Sequence, residues 1–123
     1  MRLSLNTDER SNLIRAYGPG WVMVNDRKIT ESVLVMREQL IVDWPPVDFA
    51  ALAETHFEQI LMQRPEIVLL GTGVRQQFPH PRLSRALLEA GIGMEVMDTS
   101  AACRTYNIIM AEGREVLAAL LMI

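Results

Sequence analysis

A chain of 123 residues fits one domain of ordinary size and no more. Half of its residues are apolar and 22% are charged, a globular composition that excludes a disordered chain. Twelve basic against fifteen acidic residues leave a formal charge of −3, so nothing in the balance draws the molecule to nucleic acid or to an anionic membrane.

The single cysteine forms no internal disulfide and supplies no cysteine-based zinc site, so a reducing compartment fits best. The stretch Met1 to Arg10 carries acids and lacks an apolar core, so it reads neither as a secretory signal nor as a mitochondrial presequence. Residues 1–12 are expected to form a flexible N-terminal segment ahead of a single domain over 13–123. The longest apolar run, Val116 to Ile123, is eight residues long, against about 20 for a membrane span. The expectation is a cytoplasmic protein with no integral membrane segment.

Along the chain, Leu13 to Tyr17 reads as a strand, closed by the turn Gly18-Pro19-Gly20. Trp21 to Val24 is a second strand, followed by a turn at Asn25-Asp26-Arg27. Ser32 to Met36 and Leu40 to Val42 are the third and fourth. Their close spacing implies antiparallel pairing. After Pro45-Pro46 the period becomes helical. From Asp48 to Gln63, Phe49, Leu52, Ala53, Phe57, Ile60 and Leu61 share a face, with Asp48 as N-cap and Arg64-Pro65 as the stop. His56 falls within that stripe and reads as a hydrogen-bonded core histidine.

Glu66 to Leu70 is a continuous apolar run ending at Gly71-Thr72-Gly73, as in a strand covered on both faces. Pro81 to Ala90 reads as a second helix with Leu83, Leu87 and Leu88 as its inward candidates and Gly91 as its C′ residue. Met94 to Met97 is a strand. Thr99 to Ala111 is a third helix capped by Asp98 or Thr99 and ended by Gly113. Glu115 to Met122 is the last strand, inside the sheet. The later half therefore alternates strand, helix, strand, helix, strand, which argues for right-handed βαβ crossovers and parallel strands. The expected fold class is α/β with a mixed sheet.

Three separated runs, Leu69-Leu70-Gly71-Thr72-Gly73, Glu95 through Asn107, and Glu112-Gly113-Arg114, occur in the order found in the Mth938-like family, which the chain resembles over residues 13–123. That family was once catalogued as a domain of unknown function. Its eukaryotic branch includes an assembly factor for mitochondrial respiratory complex I. The resemblance implies one three-layer α/β domain with a mixed sheet and a strand at the C-terminus. It supplies no catalytic residues, and the absence of an evident presequence suits a bacterial-type member.

The residues themselves offer one candidate site. Gly71, Thr72 and Gly73 follow a buried strand, where ligands of open α/β sheets gather. Their peptide N–H groups suit an anion, although the spacing is neither that of a dinucleotide fingerprint nor of a P-loop. Asp98 and Thr99 sit at the next strand end and open a helix, where free N–H groups again favour an anion unless Asp98 caps them. With the two strands adjacent, these corners would flank one crevice. Arg75, Arg82 and Arg85 form a basic stretch with no acid between Glu66 and Glu89, which would draw anions toward the Gly71-Thr72-Gly73 turn. Asn107 lies at the edge of the inward face of the third helix and needs a polar partner. Cys103 and Tyr106 fall on the inward face, the first a buried thiol and the second a core ring with its hydroxyl at a rim.

Two functions stand open on this evidence: a non-enzymatic interaction or assembly-factor-like protein that engages a protein partner or a second copy of itself, and an anionic-metabolite-binding protein or enzyme using the crevice. Neither invokes a cofactor, a metal or nucleic acid.

Overall fold

The computed structural model describes residues 11–123. Three short strands come first: β1 (Ile14–Gly18), β2 (Trp21–Val24) and β3 (Arg27–Ile29). They pair antiparallel in chain order as a separate sheet, with Val22 opposite Ile29 and Gly18 opposite Trp21. The tight turn between β2 and β3 uses Asn25 at φ 52°, a left-handed conformation that asparagine tolerates better than most residues. The sequence reading missed β3, whose Arg27 and Lys28 are exposed and look like turn residues.

The second sheet has five strands. β4 (Val33–Met36) and β5 (Leu40–Ile41) form a hairpin, and β6 (Ile67–Thr72), β7 (Gly93–Met97) and β8 (Val116–Leu121) complete it in the spatial order β5-β4-β8-β6-β7. β6 runs parallel to both β7 and β8, while β4 runs antiparallel to β8. The sheet is mixed, as expected. β8 sits at its centre with all six residues buried, which explains its unbroken apolar sequence.

Period-two alternation in these strands divides the core in two. Val33, Val35, Leu69, Ala118 and Leu120 face α3 (Thr99–Ala111) and the three-stranded sheet. Leu34, Val68, Leu70, Leu117 and Ala119 face the other way, against Phe57 and Ile60 of α1 (Glu54–Met62) and Leu87 of α2 (Arg85–Glu89). The result is three layers around one central sheet.

Three expected boundaries are corrected. The helix expected over Asp48 to Gln63 is two pieces, a 3₁₀ turn at Phe49–Ala51 capped by Asp48 and then α1, separated by an extended Leu52. The second helix likewise opens as a 3₁₀ turn at Pro81–Ser84 before α2, and Leu88 faces solvent while Leu87 is buried. β6 does not stop before the glycines but continues through Gly71 and Thr72. The expected flexible segment 1–12 lies outside the described residues up to Arg10, but its last two positions are anchored. Asn12 donates through its backbone N–H to Arg37 and through its side chain to the carbonyls of Met36 and Gln39.

His56 is hydrogen-bonded, as expected, but as a cap. Its Nδ1 accepts the Ala53 N–H at 3.0 Å in the first turn of α1, and the half-buried ring sits edge-on to Trp44. Burial lowers its pKa from the usual range. Arg114 pairs with Glu66 at 3.2 Å.

Candidate functional site

The topology brings the two expected corners together. β6 and β7 are adjacent and parallel, so Gly73 and Asp98 emerge at neighbouring strand ends. The gap between them is closed by one side chain. Thr99 is fully buried. Its N–H donates to the Gly73 carbonyl at 3.0 Å, its hydroxyl oxygen accepts the Gly73 N–H at 2.8 Å, and the hydroxyl proton goes to the Leu121 carbonyl at 2.6 Å. A single threonine thus ties the ends of β6 and β8 to the start of α3.

Further polar groups at this corner are engaged in the same way. The Asp98 carboxylate accepts the Ala101 N–H at 2.9 Å and caps α3. Thr72 donates its hydroxyl to the Arg75 carbonyl at 2.7 Å and accepts the Gln77 N–H at 3.1 Å, which folds the following loop back onto the strand end. The Arg75 side chain is exposed. Gly71 is an interior strand residue, and a Cβ on it would lie 3.0 Å from both the Cα and the hydroxyl of Thr99. Close helix approach, not ligand approach, calls for glycine there. Gly73 does adopt the left-handed conformation, at φ 100°.

Asn107 stands apart from these residues, eight positions along α3 from Thr99 and so about 12 Å away along the helix. Its amide accepts the Ile14 N–H at 3.0 Å and donates to the Ile14 carbonyl at 2.8 Å, mimicking a partner strand for β1. Tyr106 is buried and donates its hydroxyl to the Asn12 carbonyl at 2.8 Å, and burial raises its pKa. Sequence reasoning missed Arg37, whose guanidinium donates to the Met110 carbonyl at 2.8 Å and satisfies the last turn of α3 from the β4 side.

What remains open at the strand ends is a depression of about 320 Å³ lined by Thr72, Gly73, Val74, Asp48 and Phe49. Asp98 and Thr99 do not reach it, and its only charged lining residue is the acidic Asp48. Among the described residues no three His, Cys, Asp or Glu side chains are grouped to hold a metal ion. No helix among them is long and apolar enough to cross a membrane.

Cys103 is buried against the sheet, as its helical phase required. Burial pushes the thiol up to about 12, the nearby Asp98 adds to this, and Arg104 offsets part of it. A thiol with that pKa holds almost no thiolate near neutrality. At pH 8 a thiol reagent is expected to modify the native protein on the order of a thousandfold more slowly than the denatured chain, which stopped-flow absorbance would measure. Comparable rates would place Cys103 outside the core.

Comparison with known proteins agrees with this architecture. A complex I assembly factor from Mus musculus, NADH dehydrogenase [ubiquinone] 1 alpha subcomplex assembly factor 3, is 37% identical over 104 residues, covering 83% of this chain. The match takes in 55% of that relative, so the chain spans little more than half its length. A crystal structure from Bordetella parapertussis superposes with a TM-score of 0.85 at 41% identity, over 90% of this chain and 95% of the other. A Mth938-like domain from Bordetella pertussis, solved by NMR, gives 0.79 at 33% identity over 98% and 92%. The family described as protein of unknown function DUF498/DUF598 matches residues 14–121. With its mixed sheet, its buried final strand and that match across nearly its whole length, the chain belongs to the DUF498/DUF598 family of Mth938-like α/β domains.

Proposed function

We propose that this protein is a non-enzymatic assembly factor that holds a protein partner, a subunit of the respiratory NADH dehydrogenase, during its assembly. The observation that carries the reading is the Thr99 bridge. At the strand ends the Thr99 hydroxyl, the Gly73 N–H and the Asp98 carboxylate are spent on holding the fold. The similarity to the mouse assembly factor over most of this chain supplies the class of partner.

The surface beside the bridge suits a protein better than a small anion. Val74 and Phe78 are 76% and 71% exposed on the loop after β6, and Val74 lines the strand-end depression. Large apolar side chains held in water at one end of a sheet are characteristic of surfaces that meet another protein. The anionic-metabolite reading has no comparable support, because Asp48 would repel an anion in the depression that Gly73 lines.

The test is genetic. Deleting the gene in its source organism is expected to lower assembled NADH dehydrogenase, seen on native gels, and to leave incomplete subcomplexes. Wild-type protein restores assembly, whereas the exposed double substitution Val74→Asp/Phe78→Asp folds but does not. Normal NADH dehydrogenase in the deletion strain overturns the reading.

A further inference from the structure

Every strand edge in a folded protein is a template for another chain, and stable proteins blunt the edges they do not use. Among the described residues this molecule blunts three of four edges visibly. At β1 the Asn107 amide satisfies both polar groups of Ile14, and the pairing with β2 is irregular between Ile14 and Ala16. β3 presents the charges of Arg27 and Lys28. β5 is two residues long. The fourth edge, β7, has five residues, no proline, no lysine and a single charge, Glu95.

The outward groups of β7 follow from its pairing. In a parallel ladder the N–H and C=O of one residue point to the same side, and the side alternates along the strand. The Met97 carbonyl lies 3.2 Å from Thr72 Oγ1, on the side of β6. The Val96 carbonyl is met from the other side by the Gln76 amide at 2.9 Å. Met94 and Val96 therefore direct their backbone groups outward. Only the Val96 carbonyl has a partner there among the described residues, and that partner is an exposed, displaceable side chain. Gln76 belongs to the loop that carries Val74 and Phe78, so the open edge and the exposed apolar side chains adjoin.

We infer that β7 is a docking edge for an extended segment of a partner protein, a segment that carries a lysine or arginine opposite Glu95. The inference rests on the interaction reading and gives it an atomic site. A second copy of this chain fits the edge less well. Antiparallel self-pairing through Met94 and Val96 sets Glu95 against Glu95 of the other copy, about 4.5 Å apart at Cα, where like charges oppose pairing. A basic residue at that place gains from the same geometry.

The probe is a fluorescein-labelled strand peptide, Thr-Val-Thr-Lys-Thr-Val-Thr, beside the same peptide with glutamate in place of lysine. The full chain is titrated with each by fluorescence anisotropy, and amide exchange is followed by NMR. In the free protein the amides of Met94 and Val96 are expected to exchange freely, while those of Glu95 and Met97 are protected. The lysine peptide should slow both outward amides and bind about fivefold more tightly than the glutamate peptide. Glu95→Lys, at an exposed position, should reverse that preference. Three results overturn the inference: protected outward amides in the free monomer, protection that appears only as the chain self-associates, and peptide binding that is absent or indifferent to charge. Failure here with intact genetic dependence of NADH dehydrogenase would remove the edge and leave the assembly reading standing, whereas normal assembly in the deletion strain would remove both.

Discussion

Replacing Thr99 by valine is expected to destabilise the protein by about 4 kcal/mol. Valine keeps the shape and the backbone N–H, so the bond to the Gly73 carbonyl survives. It removes the hydroxyl, which strands the Gly73 N–H and the Leu121 carbonyl in a site with no solvent. A buried polar group left unpaired costs about 1–3 kcal/mol, and two are lost here. Thr99→Ser retains the hydroxyl and sheds one methyl group, a loss of about 1 kcal/mol. Chemical denaturation of the three proteins would measure this directly. Equal losses for valine and serine would mean that the methyl group, not the hydroxyl bridge, carries the energy.

The larger elements were legible because their sequences satisfy one period without conflict. β8 is apolar on both faces and could have been a helix by composition, but it lies in the centre of the sheet, where both faces are covered. α3 was legible to the residue, since Asp98 starts it, Gly113 follows it and its inward positions fall on one stripe. The break inside Asp48 to Gln63 was not legible. No glycine or proline marks it, and the apolar positions continue across it, because a 3₁₀ turn followed by an α-helix keeps Leu52 and Phe57 against the same core. Two capping side chains, Asp48 and His56, each begin a separate segment. β3 was invisible for a different reason: three residues, two of them charged, become a strand only through their pairing with β2.

The site was legible in position and not in use. Strand-end glycines, an aspartate and a threonine at a helix start are the residue types that hold anions, and the sheet does place them side by side. Whether their donors remain free depends on the gap between two strands that are far apart in sequence. At that gap the Thr99 hydroxyl reaches the Gly73 N–H. Asn107 shows the same limit, because helical phase sets its direction but cannot say that Ile14, 93 residues earlier, lies opposite. The Gln76 contact with β7 is also long-range and was not foreseen.

Gly71 gives the second large effect, and it separates a packing role from a turn role. Glycine in a strand normally costs stability, and alanine should recover about 0.4–1 kcal/mol by restricting the unfolded chain. Gly93 meets that condition: it lies in β7, its φ is not positive, and a Cβ on it would have nothing within 4 Å. Gly93→Ala is therefore expected to leave stability unchanged or raise it slightly. At Gly71 the same methyl group would press on the Thr99 Cα and hydroxyl at 3.0 Å and on Leu120 Cδ2 at 3.1 Å. The leucine tip can turn aside, but the start of α3 cannot, since Thr99 is fixed to Gly73 and Leu121 by three hydrogen bonds. Overpacking of this kind costs about 1–3 kcal/mol against an entropic gain of about 0.4–1 kcal/mol, so Gly71→Ala should lose about 1 kcal/mol net. Thermal melts of the two alanine variants should then separate by roughly 5 °C, with Gly71→Ala the lower. If the two melt together, α3 is free to move away from β6, and the Thr99 bridge loses the rigidity on which the closed strand-end corner depends.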